Sequence, residues 1–173
     1  MKIHIIGGSG SGKSYIATRL SARFELQVLD LDTIFWDQKE TIPYATKAAP
    51  KERDLALATI IRQPNWIVEG VYYSWLLSSF QQADHILVLT TPLWLRQVRI
   101  VRRFLQRKLQ PSPRIKESLR SLRQLLKWNA SYDRVNLSQA ITLLEKEGLK
   151  YARCSTYTQA MSVFAARSTV HTS

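Results

Sequence analysis

Cysteine is almost missing from this sequence. Cys154 stands alone, which excludes an internal disulfide and a thiolate metal cluster, and a reducing cytoplasm is the expected compartment. No apolar run approaches the length that crosses a bilayer, so no membrane partner is expected. The opening residues MKIHIIGGSGSGKS carry one lysine and a short apolar stretch that glycines interrupt at once, and no small-residue cleavage pattern follows; no export signal is expected. His4, His85 and His171 are scattered without companions at metal-ligand spacing, and none is assigned a function. Internal repeats and low-complexity tracts are also absent. Acids are scarce: 13 Asp and Glu face 25 Lys and Arg, for a net charge of +12. Between Leu93 and Tyr132 eleven basic residues face the single acid Glu117. Such clustering points to a polyanion, either nucleotide phosphates or a nucleic-acid backbone, or else to a solvated helix face.

What is present is a chain of 173 residues, 45% apolar and 22% charged, enough to bury the core of one domain. Residues 2–6 read as a buried strand that stops at Gly7, and Ile16, Leu20 and Phe24 then recur at helical spacing. A second strand runs from Val28 to Leu31 and ends in acids, before a loop-rich stretch with Pro43 and Pro50. A helix is expected over Lys51 to Arg62, a strand over Trp66 to Glu69, and an inner strand over Asp84 to Leu89. Pro92 introduces a basic helix at about Leu93, an interruption follows from Pro111 to Pro113, and a second basic helix is expected over Lys116 to Trp128. Asn136 to Lys146 reads as a helix capped by Gly148, Tyr151 to Ser155 as a last strand and Gln159 to Ala166 as a last helix, with a frayed end. Strands alternating with helices imply an α/β fold, a parallel sheet covered on both faces, with ligands beyond the carboxyl ends of its strands.

Gly7-Gly8-Ser9-Gly10-Ser11-Gly12-Lys13-Ser14 fits the phosphate-loop pattern G-x-x-x-x-G-K-[ST]. A chance match in a chain of this length arises on the order of once in two hundred sequences. Here a strand precedes the pattern and a helix follows it, as the chemistry requires. Glycines let successive backbone N–H groups turn inward around a phosphate, which then sits on the positive end of the helix. The segment Ser9, Gly10, Ser11, Gly12, Lys13, Ser14 and Tyr15 is therefore the expected ATP phosphate cradle. Lys13 reaches the β- and γ-phosphates, and the Ser14 hydroxyl is a ligand for Mg²⁺, the one cofactor expected with ATP.

Asp30 and Asp32, one residue apart at the end of the second strand, share a face if the chain stays extended there. They are candidates for binding a phosphate acceptor and taking its proton, Asp32 foremost, with helix capping as the alternative. Glu69 and Gly70 end the third strand, where the acid suits a partner of the metal's own ligands, a substrate contact or a strand-end ion pair, and the glycine permits close approach. Tyr72, Tyr73 and Trp75 line an acceptor pocket or pack the core. Arg99 and Arg103 lie one helical turn apart with Arg96, Arg102 and Arg107 around them, suited to the charge that develops on a transferring phosphoryl group. Cys154 belongs to a buried strand rather than to a nucleophile.

The motifs GGSGSGKS, LDLDTIFW, WIVEGVYYSWL, PLWLRQVRIVRR and ESLRSLRQLLKW resemble those of adenylate-kinase-like P-loop proteins, in particular the DNA topology modulation proteins of the FlaR type, over nearly the whole chain. The resemblance implies a three-layer P-loop NTPase fold with a five-stranded parallel sheet of order 2-3-1-4-5 and a lid between the fourth and fifth strands, at about residues 104–130. It also implies lid roles for Arg99 and Arg103, which stand seven and eleven residues after Pro92 as the superfamily's arginines do. Two positions depart: Thr90 stands where an aspartate is usual, and Glu69 where adenylate kinases have aspartate. The expected activity is transfer of the γ-phosphate of Mg·ATP to a small-molecule or nucleotide acceptor. The alternative is an ATP-binding protein that engages DNA through its arginine-rich helices, with Arg120 and Arg123 among the contacts.

Overall fold

A computed structural model of the chain describes residues 1–36, 46–109 and 118–165. The expected loop around Pro43, the interruption at Pro111 to Pro113, the first residues of the second basic helix, His171 and the frayed end lie outside those residues. Five parallel strands, β1 (Lys2–Gly7), β2 (Val28–Asp30), β3 (Trp66–Gly70), β4 (His85–Leu89) and β5 (Ala152–Cys154), form one sheet in the order β2-β3-β1-β4-β5. The helices are α1 (Lys13–Phe24), α2 (Asp32–Phe35), α3 (Pro50–Ile61), α4 (Leu77–Gln82), α5 (Leu93–Leu109), α6 (Leu119–Tyr132), α7 (Ser138–Lys146) and α8 (Tyr157–Ala165). Among the described residues no helix is long and apolar enough to cross a membrane.

The near-continuous apolar runs of the inner strands follow from burial on both sides. Ile3 and Ile5 of β1, Ile67 of β3 and Leu87 and Leu89 of β4 point to one face, where Ile16 and Leu20 of α1 and Ala160 of α8 cover them. Ile6, Trp66, Val68, Ile86 and Val88 point to the other and meet Leu57 and Ile61 of α3, Phe80 of α4, Tyr132 of α6 and Leu144 of α7. Gly7 pairs with Leu89, and Asp30 with Glu69, which stands beside Ile5, so these four residues lie within two positions of one another at one edge of this sandwich. Cys154 is 2% exposed in β5, and burial pushes its thiol up to about 11, as a core residue requires.

Three elements differ from the pattern read in the sequence: the join of α6 to α7, α4 and, at the site, α2. The stretch Asn129 to Val135 does not separate two helices: α6 runs on through a π-helical turn, Asp133–Leu137, directly into α7. Asn129 and Tyr132 are wholly buried in it, and Asp133 finds a guanidinium partner, so tertiary contacts overrule local preference. The short α4 was unexpected; its signal is the buried pair Leu76 and Phe80, four residues apart.

His4 is fully buried in β1, with its Nδ1 2.8 Å from Ser79 Oγ and its ring 4.3 Å from Phe80. Burial lowers its pKa to about 3. The unfolded chain therefore takes up a proton below about pH 6.5 that the native state refuses, and stability is lost as pH falls from there toward 3. Between pH 6.5 and 5 the stability gap between the parent and His4→Gln should narrow by about 2 kcal/mol in urea unfolding. Parallel pH slopes for the two proteins would mean the imidazole is not held neutral.

Candidate active site

The loop from Gly7 to Gly12 leaves β1 and enters α1 with two residues in the left-handed region, Gly10 at φ 77° and Gly12 at φ 99°. Side chains rarely adopt that backbone, and a Cβ on Gly10 would also stand 2.6 Å from the Arg96 carbonyl oxygen. Gly12, at the start of α1, has no side chain to cap the helix, which leaves its first amides suited to an anion. Lys13 is 8% exposed and its Nζ donates to the Gly8 carbonyl at 3.3 Å. Burial pushes its pKa down, while Glu69, Asp32 and Asp30 push it back up and Arg103 adds to the depression. An ammonium set in such a hole is suited to meeting a multiply charged anion.

Ser14 Oγ donates to Glu69 Oε1 at 2.6 Å. Glu69 is 2% exposed; burial raises its pKa, and Lys13 and the Ser14 hydroxyl oppose the rise. Asp30 pairs with Glu69 in the β2–β3 register, and burial raises its pKa as well. Asp32 is not extended from Asp30, as the sequence pattern suggested. Leu31 turns the chain into helical geometry and Asp32 opens α2, with the Asp30 carboxylate accepting from the Asp32 N–H at 2.9 Å. Alternation along a strand is thus the wrong reason for their proximity; the local turn gathers both acids toward Lys13 instead. The room that Gly70 provides is taken by Leu31, whose Cβ lies 2.9 Å from where a Gly70 Cβ would be.

On the other side of the loop, Arg99 Nη1 donates to the carbonyls of Gly10 and Ser11 at 3.1 and 3.2 Å. Arg103 Nη2 reaches Ser9 Oγ at 3.5 Å, the edge of hydrogen-bonding distance. Thr91, which the sequence pattern did not single out, donates from Oγ1 to Ser11 O at 2.9 Å. Arg96 does not extend the exposed charge of α5: it is 0% exposed and holds Asp133 through two 2.8 Å bonds. The basic side chains of α5 therefore divide, with Arg99 and Arg103 turned to the loop and Arg96 to the interior. The outward face of α5 carries Trp94, Val98, Leu105 and Leu109, and Arg120, Arg123 and Lys127 are exposed on α6. Tyr15, 57% exposed, lies beside Tyr157 with the Arg19 guanidinium 5.3 Å from its ring centre.

Aromatic residues gather beside Asp32. Tyr72 donates its hydroxyl to Asp32 Oδ1 at 2.6 Å and stacks on Phe35 with ring centres 4.2 Å apart. Burial first, and the Asp32 carboxylate second, push the Tyr72 hydroxyl well above the ordinary phenol range. Trp75 lies near Phe35 at 6.3 Å, while Tyr73 turns away to bond Gln139. Phe35 carried no chemical signal in the sequence beyond its place after the acids.

The residues present fit Mg²⁺ in the way that ion is ordinarily held. Ser14 offers a hydroxyl and Glu69 a carboxylate beside it. Among the described residues no three His, Cys, Asp or Glu side chains are grouped as a metal cage. Mg²⁺ takes few protein ligands and fills its octahedron with phosphate oxygens and water.

No family model matches the chain. Over 152 residues it is 25% identical to the uncharacterized protein YqaC of Bacillus subtilis (strain 168), a match that covers 88% of this chain and 84% of that one. Among solved structures it is similar to shikimate kinase from Acinetobacter baumannii in complex with shikimate, with a TM-score of 0.54 and 17% identity over 99% of this chain and 95% of that one. Shikimate kinase from Bacteroides thetaiotaomicron gives a TM-score of 0.55 and 12% identity over 98% of each chain. At these identities the likeness is one of fold: the chain has the P-loop kinase fold, its five-stranded parallel sheet ordered 2-3-1-4-5 between helices.

Proposed function

We propose that the protein transfers the γ-phosphoryl group of Mg·ATP to a hydroxyl-bearing small-molecule or nucleotide acceptor. The observation that carries this reading is the meeting of Lys13, Ser14 and Glu69 on one side with Asp32 on the other, at the carboxyl edge of the sheet. Gly8 to Ser14 and the first amides of α1 would hold the triphosphate, and Tyr15 would follow it along α1. Ser14, with Glu69 beside it, would hold Mg²⁺, which supplies charge neutralisation between the β- and γ-phosphates. Asp32, oriented by the Tyr72 hydroxyl, accepts the proton of the attacking hydroxyl. The acceptor's hydroxyl oxygen bonds to the γ-phosphorus as the bond from that phosphorus to the bridging oxygen breaks, the electron pair leaving with ADP. Arg99 and Arg103, already on the loop carbonyls and Ser9, are placed to meet the charge that spreads over the transferring oxygens.

This convergence on the loop favours the kinase over a protein that grips DNA along α5 and α6. The motif resemblance to FlaR-type DNA topology modulation proteins agrees with a kinase-like chain and leaves the acceptor open. The test is ADP formation from Mg·ATP with a panel of hydroxyl compounds. Asp32→Asn should lower kcat by about two to four orders of magnitude while leaving the affinity for Mg·ATP within a few-fold of the parent. Equal kcat in the two proteins would remove Asp32 from the reaction.

A further inference from the structure

The aromatic group beside Asp32 has a chemistry of its own. Phe35 lies nearly parallel to both Tyr72 and Trp75, at 24° and 23°, while those two rings tilt 46° from each other, so an aromatic cluster centred on Phe35 stands next to the carboxylate. Each ring keeps part of its surface open. The Trp75 indole N–H is shut away from solvent and finds no acceptor among the described residues. A buried donor in that condition costs free energy until something accepts from it.

Charge is largely spoken for at this end of the site. Arg53 covers Trp75 with its guanidinium 4.2 Å from the ring centre. The same group donates from Nε and Nη2 to Asp54 at 2.8 and 2.7 Å, so its charge is matched. Lys47 stands 5.6 Å from the Phe35 ring but is exposed, and an ammonium in water discriminates weakly between ligands. A carboxylate or phosphate on the acceptor would find no buried cation here among the described residues. A flat ring would pack against the parts of these rings that their mutual stacking and Arg53 leave open and, if it carries a ring nitrogen or carbonyl, would offer an acceptor to the indole N–H.

We propose that the acceptor is a nucleoside, a neutral hydroxyl compound bearing a flat heteroaromatic ring, held against Phe35, Tyr72 and Trp75 with its hydroxyl at Asp32. This rests on the kinase reading above. The nucleoside hydroxyl oxygen forms the new bond to the γ-phosphorus, its proton passes to the Asp32 carboxylate, and ADP departs with the electrons of the broken bond. Trp75 acts as a specificity residue through the face of its ring and its N–H, and the Tyr72 hydroxyl positions the base.

Adenosine, guanosine, cytidine and thymidine are titrated against their 5′-monophosphates, shikimate and gluconate in two ways. The first follows quenching of tryptophan fluorescence without ATP; the second follows ADP release with Mg·ATP. At least one nucleoside should quench and be phosphorylated, with its monophosphate and the two ring-poor acids at least about tenfold weaker, the scale of base stacking on an aromatic face. Trp75→Phe keeps a flat face and loses the N–H, so it should raise the nucleoside KM about five- to tenfold with kcat little changed and remove most of the quench. The nucleoside assignment is overturned if none of the four binds, if a monophosphate or an acid saturates at lower concentration, or if Trp75→Phe leaves the nucleoside KM where it was. In each of those cases ATP turnover with another acceptor would leave the kinase reading standing. Failure to bind Mg·ATP would sink that reading instead, and the ATP-free titration still decides whether the rings hold a nucleoside.

Discussion

Lys13→Met should lose at least about a thousandfold in phosphoryl transfer, equivalent to roughly 4 kcal/mol of barrier, and should give no measurable heat with Mg·ATP. Methionine matches the length of the lysine stem and removes only the ammonium, so the loop keeps its filling. Lys13 is 8% exposed and its ammonium donates to the Gly8 carbonyl. Burial depresses its pKa, and three carboxylates only oppose that. A triphosphate would favour the charged form by supplying the anion that the pocket is shaped to meet. The folded protein should tolerate the change better than the reaction does: an expensive buried charge disappears, at the cost of a counter-charge for Glu69, Asp30 and Asp32. Calorimetry and steady-state ADP release on the parent and variant check both halves. A Lys13→Met protein that turned over like its parent would end the kinase reading.

The phosphate loop was legible in the sequence because its chemistry is local. Consecutive glycines, Lys13 and Ser14 do their work within eight positions, and the flanking strand and helix are set by their own periodicities. The acids of β2 and β3 were legible as acids, but not in their geometry. Asp32 turns into α2 where an extended chain was expected, and Gly70 is filled by Leu31. Both outcomes depend on how β2 leaves the sheet, which no alternation pattern records. Arg96 shows the harder case. On α5 it stands among exposed cations at helical spacing and reads as one of them. Its partner is Asp133, 37 residues later, in the stretch left between the two helices expected from the sequence, where Asn129, Ser131 and Asp133 are poor helix formers. Only their mutual satisfaction inside the fold makes one residue buried and the other helical.

That pair is also where the largest loss of stability is expected. The Arg96 side chain is 1% exposed and bonds both oxygens of Asp133, with a third, weaker bond to the Asn129 carbonyl at 3.4 Å. Asp133→Ala would strand the guanidinium in the interior. Breaking a fully buried ion pair costs about 3–5 kcal/mol, and because the Asp133 side chain is 49% exposed the expected loss is smaller, about 2–3 kcal/mol. Replacing Arg96 by Met as well should recover much of that loss, since no charge is then left unpaired. The consequences reach the phosphate loop, because a Cβ on Gly8 would run into the Arg96 guanidinium and would stand 3.0 Å from Asn129 Oδ1 and from the Tyr132 ring. Arg96 thus fills the floor beneath Gly8 while its own carbonyl lies against Gly10, and Asp133 fixes the side chain that does so. Nucleotide affinity should therefore fall in Asp133→Ala even at temperatures where the variant is fully folded. Urea unfolding of the parent, both single variants and the double variant closes the cycle. Effects that add to within about 0.5 kcal/mol would show that the two side chains do not act as a pair.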